Sequence, residues 1–247
     1  MKELTKKCME INKIYNEDCF ETMQRMKDNF IDITITSPPY NTGGQNAQTG
    51  RNRKLYKEYK DNLTNEEYYN FIKTNINELL RVTKYYIFFN FQCLSNNKEI
   101  YYKIIGEFSN KIKDIFIWKK QAVSQIVKGK MATGYEFVII LSNNNKMSFE
   151  YNNFPENNYV PNIKKFIKKE NFHNYNNATM PLQLAEYFII NFSKKGDLVY
   201  DCFLGMGTTA CAAVKNDRNY IASEITKEYI DLSNKRLSKY KNQTKLF

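Results

Sequence analysis

The sequence predicts an α/β fold, with a parallel or mixed sheet and helices on both of its faces. Short β-branched runs such as Phe30–Thr36 alternate along the chain with segments of helical period such as Asn65–Val82. The 247 residues are 42% hydrophobic and include only 9 Gly and 5 Pro, which excludes collagen-like and wholly disordered proteins. Apolar stretches such as Tyr85–Phe91 are far shorter than the roughly 20 residues that span a bilayer.

In the first half of the chain, local signals mark where elements end or begin. The strand Phe30–Thr36 stops at Pro38-Pro39, because proline has no N–H for a sheet. Thr64 and Glu67 have the spacing of a capping box, which starts the helix Asn65–Val82. The elements predicted here are the strands Ile11–Tyr15, Phe30–Thr36 and Tyr85–Phe91 and the helices Cys19–Met26, Asn65–Val82 and Asn97–Phe108.

In the second half, strands and helices alternate on either side of an Asn- and Lys-rich region. Residues 142–177 lack periodicity and are predicted as loops. With no repeat or linker in the pattern, 1–247 is expected to form a single domain. The elements predicted here are the strands Ile112–Lys119, Tyr135–Leu141, Leu198–Tyr200 and Tyr220–Glu224, and the helices Pro181–Phe192, one ending at about Lys215, and Lys227–Lys241.

The chain carries 37 Lys+Arg against 26 Asp+Glu, a formal net charge of +11. Such an excess favours a polyanionic partner, although compositional drift in a chain rich in Lys, Asn, Ile and Tyr is the alternative. Five scattered cysteines without a CxxC pair, and a single His173, argue against a disulfide framework, a metal site or a Ser-His-Asp triad. The N-terminus lacks the apolar core of a signal peptide, so a cytoplasmic location is expected.

The segment Thr36-Ser37-Pro38-Pro39-Tyr40-Asn41 follows a predicted strand, at the position where open α/β sheets bind ligands. Two prolines restrict the backbone and would hold nearby acceptors in a fixed array. Ser37 Oγ and the Pro38 carbonyl can each accept one hydrogen of an NH₂ group, while Tyr40 offers a flat face to its ring. A proline-rich turn without function is the alternative.

A second segment, Asp201-Cys202-Phe203-Leu204-Gly205-Met206-Gly207-Thr208-Thr209, forms a strand, a glycine turn and a helix start. The glycines allow a ligand close to the backbone, and the helix N-terminus presents free N–H groups. The pattern also fits a dinucleotide site with Glu224 as its acid. However, Asp201 would place an anion against a pyrophosphate, and it suits a cationic ligand group such as an α-ammonium better.

Together these segments resemble S-adenosylmethionine-dependent DNA amino-methyltransferases, which methylate cytosine N4 or adenine N6. TSPPYN resembles their catalytic motif [DNS]-P-P-[YFW], and DCFLGMGTT their cofactor loop D-P-F-x-G-[SM]-G-T-T, with Cys202 in place of Pro. The catalytic motif comes first, as in the circularly permuted beta group. The resemblance covers most of the chain, although Met180 replaces a usual Lys and Ala222 a usual Gly. It implies a Rossmann-like methyltransferase sheet with helices on both faces.

The resemblance also implies roles for individual residues. Ser37, Pro38, Pro39 and Tyr40 would bind and activate the target base. Asp201 would lie near the ammonium of the cofactor, Thr208 and Thr209 at its carboxylate, and Glu224 at its ribose. Asp18 would accept from the adenine amino group. The full cofactor-binding set implied is Asp18, Cys19, Pro181, Leu182, Asp201, Phe203, Gly205, Gly207, Thr208, Thr209 and Glu224.

The reaction implied is direct transfer of a methyl group to the amino group of a base flipped out of the duplex. Ser37 resembles cytosine-N4 enzymes, so cytosine N4 is the predicted target and adenine N6 the alternative. None of the cysteines follows a proline, which argues against C5-cytosine methylation. A binding protein that has lost catalysis, and methylation of RNA or of protein glutamine, are further alternatives. A restriction–modification role and a homodimer are expected by resemblance.

Double-stranded DNA is the expected partner, and three basic runs are candidate phosphate contacts. Ordinary solvated surface is the alternative for each run. The first run lies in segment 42–62, which is predicted to be a mobile loop, and region 142–177 is the candidate for base recognition. The runs consist of Arg51, Arg53, Lys54, Lys57 and Lys60, of Lys119, Lys120, Lys128 and Lys130, and of Lys164, Lys165, Lys168 and Lys169.

Overall fold

The computed structural model describes residues 9–41, 62–94, 96–124, 129, 131–146, 148–154, 159–167 and 179–243. Apart from Asn62, the predicted mobile loop 42–62 lies outside the described residues, as do parts of region 142–177. The strands are β1 Lys13–Tyr15, β2 Ile31–Thr36, β3 Thr83–Asn90, β4 Ile112–Ser124, β5 Thr133–Leu141, β6 Ile163–Lys165, β7 Leu198–Asp201 and β8 Asn219–Ser223. The helices are α1 Cys19–Gln24, α2 Asn65–Val82, α3 Lys98–Glu107, α4 Leu182–Phe192, α5 Thr208–Lys215 and α6 Lys227–Gln243.

The described strands form one sheet in the order β1-β8-β7-β2-β3-β5-β4-β6. The five strands from β1 to β3 run parallel, whereas β5 is antiparallel to both β3 and β4. Of the two predicted alternatives, a parallel or a mixed sheet, the structure has the mixed sheet. Tyr15 pairs with Ser223, so the N-terminal strand extends the sheet beside the last strand, as the permuted order implies.

Helices cover both faces of the sheet, as predicted. Strand residues point alternately to the two faces, so Phe88 belongs to one apolar core and Phe89 to the other. The core around Phe89 packs against α1, α2 and α3. The core around Phe88 packs against α4 and α5, with Phe88 stacked on Phe188 at 4.3 Å between ring centroids. Each buried aromatic side chain contributes roughly 1.5–3 kcal/mol relative to leaving it in water.

The prediction of loops throughout 142–177 was wrong at one place. Residues Ile163–Lys165 form β6, a short parallel edge strand beside Ile117–Lys119. All three β6 residues are exposed, so the sequence there carries no alternation of apolar and polar residues. Strand β4 also runs on to Ser124, beyond its predicted end at Lys119, since β5 pairs with it over most of its length.

Candidate active site

The carboxyl ends of β1, β8, β7, β2 and β3 meet at one edge of the sheet, because these strands are parallel. Ser37 follows β2, and Asp201 ends the neighbouring β7. Thr36 Oγ1 donates to Asp201 Oδ1 at 2.8 Å, which links the two predicted segments directly. The structure therefore brings the catalytic and cofactor candidates together at the edge where α/β folds bind ligands.

Within the proline segment, the hydroxyls of Ser37 and Tyr40 lie 2.7 Å apart and are hydrogen-bonded. The intervening Pro38 is buried, and the Pro39 carbonyl accepts from Tyr68 Oη on α2 at 2.8 Å. The turn is closed by Asn41, which adopts a left-handed φ of 55°. The segment is thus fixed from both sides, with the two hydroxyls side by side.

Asn90, at the end of β3, contacts both hydroxyls and is a site residue that the sequence analysis missed. Its carbonyl oxygen lies 3.3 Å from Ser37 Oγ and 3.4 Å from Tyr40 Oη. Its side-chain Nδ2 lies 3.5 Å from Ser37 Oγ and 3.3 Å from Tyr40 Oη. Nδ2 also donates to Glu136 Oε2 at 3.3 Å, which adds a buried carboxylate to the site. The available signal was that Asn90 is the one polar residue within the apolar part of the predicted strand Tyr85–Phe91.

Asp201 is buried, and its carboxylate accepts from Thr36 Oγ1 and from the Phe203 N–H at 3.1 Å. Burial raises the pKa of Asp201 to about 6, against the lowering effect of these donors and of Thr209. Among the described residues, no Lys or Arg forms an ion pair with it. Such a carboxylate is suited to receive a cationic ligand group.

Glu224, directly after β8, is held by two backbone donors. Its Oε2 accepts from the Gly205 N–H and its Oε1 from the Thr226 N–H, both at 2.8 Å. Burial raises its pKa above the usual range. Asp18 lies after the adjacent β1, where its Oδ1 caps α1 by accepting from the Phe20 N–H at 2.8 Å. Two carboxylates thus end neighbouring strands.

The glycine turn packs against α6. Gly207 has a φ of 77°, and a Cβ there would lie 2.8 Å from Cβ and Oγ of Ser233. Ser233 Oγ also donates to the Gly205 carbonyl at 2.9 Å. Buried Arg236, also on α6, donates to the Met206 carbonyl and to Thr208 Oγ1. The turn is therefore shaped by a helix that begins twenty residues later in the sequence.

Several predicted cofactor contacts have partners inside the protein. Thr208 and Thr209 are both buried, and Thr209 Oγ1 donates to the Ile35 carbonyl at 3.3 Å. Cys19 is 3% exposed, and hydrogen bonding to Cys202 together with burial raises the pKa of its thiol. Asn75 Nδ2 lies 3.7 Å from both sulfur atoms. These side chains therefore stabilise the protein interior next to the site.

The three departures from the family pattern, Cys202, Met180 and Ala222, are all buried and are accommodated by packing. Cys202, in the usual Pro position, is 2% exposed and lies with its sulfur 3.3 Å from Thr36 Oγ1. Met180, in the usual Lys position, is buried in the core that contains α4. Buried Pro181 caps α4, and Leu182 is half-buried in its first turn. Phe203 is half-buried against Phe71 at 5.8 Å between ring centroids.

The basic runs are only partly described. Lys119 is exposed, whereas Lys120 forms an ion pair with Glu136 at 2.8 Å, a partner other than the predicted phosphate. Lys164 and Lys165 are exposed on β6. Outside the described residues lie Arg51, Arg53, Lys54, Lys57, Lys60, Lys128, Lys130, Lys168 and Lys169.

Neither a metal-binding cluster nor a membrane-spanning helix is present in the described part of the chain. It contains no group of three or more His, Cys, Asp or Glu side chains arranged to hold a metal ion. Within the same ranges, no helix has both the length and the apolar character to cross a bilayer.

Comparison with known sequences identifies one family. The family model for N6/N4 DNA methylases matches residues 31–235. The orphan methyltransferase M.BamHII of Bacillus amyloliquefaciens is 51% identical over 63 residues, 26% of this chain and 24% of that protein. The matched part is thus about a quarter of that relative's length. The type II methyltransferase M1.MboII of Moraxella bovis is 24% identical, over 92% of this chain and 96% of that protein.

Solved structures share the fold. PvuII DNA methyltransferase (cytosine-N4-specific) has a TM-score of 0.71 at 18% identity, covering 94% of this chain and 91% of that chain. The M1.HpyAVI–SAM complex has a TM-score of 0.60 at 21% identity, covering 91% of this chain and 98% of that chain. The predicted Rossmann-like α/β fold is therefore confirmed.

Proposed function

Because the chain belongs to the family of N6/N4 DNA methylases, we propose that it methylates an exocyclic amino group in DNA, at cytosine N4. The single observation that carries the proposal is the hydrogen bond from Thr36 to Asp201. This bond connects the segment whose Ser37 can accept hydrogen bonds from an amino group to Asp201, a carboxylate that can bind a cation. A substrate amino group and a charged cofactor would thus meet at one sheet edge.

The residues present fit S-adenosylmethionine as the cofactor. Asp201 is a buried carboxylate without an ion-pair partner among the described residues, which suits the ammonium of a methionine moiety. Glu224 and Asp18 end neighbouring strands and suit the ribose hydroxyls and the adenine amino group. Thr208 and Thr209 open α5, whose N-terminal N–H groups suit the carboxylate. When bound, the cofactor supplies an electrophilic methyl group.

Four residues of the catalytic segment act on the base. The amino lone pair of cytosine or adenine is delocalised into the ring and is a poor nucleophile. Ser37 Oγ and the Pro38 carbonyl would accept the two amino hydrogens, which draws the nitrogen toward tetrahedral geometry and frees its lone pair. The buried Pro38 and the half-buried Pro39 keep these acceptors in place, so most of the acceleration comes from orientation. The ring would stack on Tyr40.

Cytosine N4 is preferred over adenine N6 because the first residue of the segment is a neutral serine, paired with a tyrosine hydroxyl. In the resemblance, adenine-N6 enzymes of this motif order more often carry aspartate there. The structural likeness to a cytosine-N4-specific enzyme supports the same choice, although the family model includes both activities. A restriction–modification role is supported by the likeness to M1.MboII, named a type II methyltransferase.

The decisive experiment is nucleoside mass spectrometry of DNA from cells that express the protein, with the Tyr40→Ala variant as control. We expect N4-methylcytosine in the first sample and none in the second. N6-methyladenine alone would establish the runner-up activity and refute cytosine specificity. If neither base is modified while the protein still binds DNA, the chain is a binding protein without catalysis.

A biochemical test separates binding from catalysis. Ser37→Ala removes one acceptor without touching the cofactor carboxylates, so turnover should fall by about 100-fold while calorimetric affinity for S-adenosylmethionine stays unchanged. A Ser37→Ala enzyme with undiminished turnover would refute the acceptor mechanism. Parallel assays with RNA and with a glutamine-containing peptide test the remaining amide and amino substrates.

A further inference from the structure

An ion pair contacts Asn90, the residue that touches both catalytic hydroxyls, and no sequence motif gives this pair a role. Lys120 Nζ on β4 lies 2.8 Å from Glu136 Oε1 on β5, and the two side chains are 18% and 11% exposed. Glu136 is opposite Trp118 in the antiparallel ladder, so Lys120 approaches it diagonally at the same sheet edge. Removing one partner of such a withdrawn pair leaves an uncompensated charge.

Glu136 fixes the orientation of the Asn90 amide. A carboxylate only accepts hydrogen bonds, so its Oε2, 3.3 Å away, must face the NH₂ group of the amide and not its oxygen. The opposite orientation would bring two acceptors together. Lys120 balances the negative charge of Glu136 on its other oxygen, which makes a charged carboxylate tolerable in this buried position.

This orientation is costly for the amide itself. Asn90 is 2% exposed, and among the described residues its Oδ1 has no hydrogen-bond partner. An unsatisfied buried acceptor costs roughly 1–3 kcal/mol. A flipped amide would let Oδ1 accept from the hydroxyl of Ser37 or Tyr40, but it would also turn that oxygen toward Glu136 Oε2 and move the NH₂ group to the position that has no partner among the described residues. Glu136 therefore disfavours the flip.

The consequence lies at the two hydroxyls. Asn90 offers them a donor through Nδ2 and an acceptor through its backbone carbonyl. A flipped amide would offer two acceptors, and both hydroxyl protons would turn toward Asn90. With the amide in its observed orientation, the two hydroxyl protons have two acceptors. One proton lies in the hydrogen bond between Ser37 and Tyr40, and the other is donated to the Asn90 carbonyl. A lone pair of Ser37 then remains for a base amino group.

We infer that Glu136 is a positioning residue for methyl transfer, held by Lys120 and acting through Asn90 on the hydroxyls of Ser37 and Tyr40. The inference rests on the proposed function and deepens it. It also reassigns Lys120 from the DNA phosphates to the interior of the site.

The test is single-turnover methylation by Glu136→Gln at saturating DNA and cofactor. Glutamine keeps the size of the side chain but can accept or donate, so the Asn90 amide is no longer fixed. We expect the rate to fall by about 10- to 100-fold, because a small misplacement of catalytic groups has effects of this size. The dissociation constants of DNA and S-adenosylmethionine should change less than about twofold, as removal of an interaction needed only in the transition state requires.

Lys120 provides a second, milder set of variants. Lys120→Met should reproduce the loss of rate, Lys120→Arg should retain most of it, and the Glu136→Gln, Lys120→Met double variant should be no slower than either single one. Glu186→Gln is the matched control: Glu186 on α4 pairs with Lys215 on α5 at 2.6 Å, with 14% of its side chain exposed. Its rate should equal that of the wild type.

The outcomes separate this inference from the proposed function. A wild-type protein that methylates no DNA refutes the proposed function. If the wild type methylates and Glu136→Gln keeps its rate within about twofold, the inference is refuted alone. It is also refuted if the Lys120→Met effect appears in the DNA dissociation constant, since Lys120 would then contact phosphate.

Discussion

At the scale of single residues, Asp201 is arranged to bind a cationic ligand, and its burial destabilises the free protein when the carboxylate is charged. Its carboxylate is surrounded by hydroxyl and N–H donors but by no cation of the described residues, and burial raises its pKa to about 6. In the free protein the charged form is therefore disfavoured. A ligand ammonium would supply the missing charge, so we expect cofactor binding and deprotonation of Asp201 to be coupled.

Asp201→Asn is expected to abolish that coupling. The amide cannot attract an ammonium as a carboxylate does, so affinity for S-adenosylmethionine should fall by about 10- to 100-fold, the worth of a charged hydrogen bond. Isothermal titration calorimetry at pH 8 measures this loss, and in the wild type the affinity should also decline as the pH falls through about 6. A variant that binds the cofactor as tightly as the wild type would contradict the assignment of Asp201.

The same substitution has an effect of opposite sign on the free protein. Because the folded-state pKa of Asp201 lies above its usual value, its contribution to stability is present at low pH and is lost as the pH rises through about 6. Asparagine is neutral throughout. Cofactor-free Asp201→Asn should therefore be more stable than wild type at pH 8, by at most about 3 kcal/mol, and nearly equal at pH 4. Thermal unfolding at both pH values is the measurement, and a destabilised variant at pH 8 would contradict it.

At the scale of secondary-structure elements, the glycine turn depends on its packing against α6. Gly207 needs its left-handed φ, and a side chain there would meet Ser233. Gly196 has a similar φ of 85°, but a Cβ there meets nothing within 4 Å. The two glycines therefore share the backbone strain of a substitution and differ only in the steric clash.

Gly207→Ala is expected to destabilise the fold more than Gly196→Ala. The shared φ strain costs about 1–2 kcal/mol, and overpacking against Ser233 adds about 1–3 kcal/mol at residue 207 alone. Urea unfolding of both variants gives the difference directly. Gly207→Ala should also weaken cofactor binding, since the turn and the Gly205 N–H that holds Glu224 would shift. Equal free energies of unfolding for the two variants would show that the turn moves away from α6 without cost.

Elements with local signals could be predicted from the sequence, and those that depend on distant partners could not. Helix α2 was predicted with both of its bounds, because Thr64 and Glu67 form a capping box at one end and the helical period stops at the other. Strand β6 was missed, since it exists only through pairing with β4. The site follows the same rule. Asp201 lies in a contiguous motif, whereas Asn90 meets Ser37 across 53 residues and Glu136 across 46.

At the scale of the whole molecule, the net charge of +11 has to be accounted for by surface and site together. Some cationic side chains are largely buried in ion pairs, as Lys120 is with Glu136. Others, such as Lys119, Lys164 and Lys165, remain exposed near one end of the sheet. Lys165 pairs in register with Lys119, so β4 and β6 present these two exposed cations side by side, whereas Lys164 pairs with Trp118 on the opposite face of the sheet. We propose this pair of strands as part of the DNA-binding surface.

DNA affinity should therefore depend strongly on salt, and charge removal on β6 should reduce that dependence. Each phosphate contact releases counterions, so the logarithm of the binding constant falls with the logarithm of salt concentration by about 0.9 per contact. Lys164→Gln with Lys165→Gln should make this slope shallower by about 1 to 2. Lys195→Gln, at an exposed lysine paired with Asp217, is the control and should leave the slope unchanged. Fluorescence anisotropy across a salt series measures all three proteins. If the β6 variant keeps the wild-type slope, β6 is ordinary solvated surface and the phosphate contacts lie elsewhere, while the assignment of the methylation site stands independently.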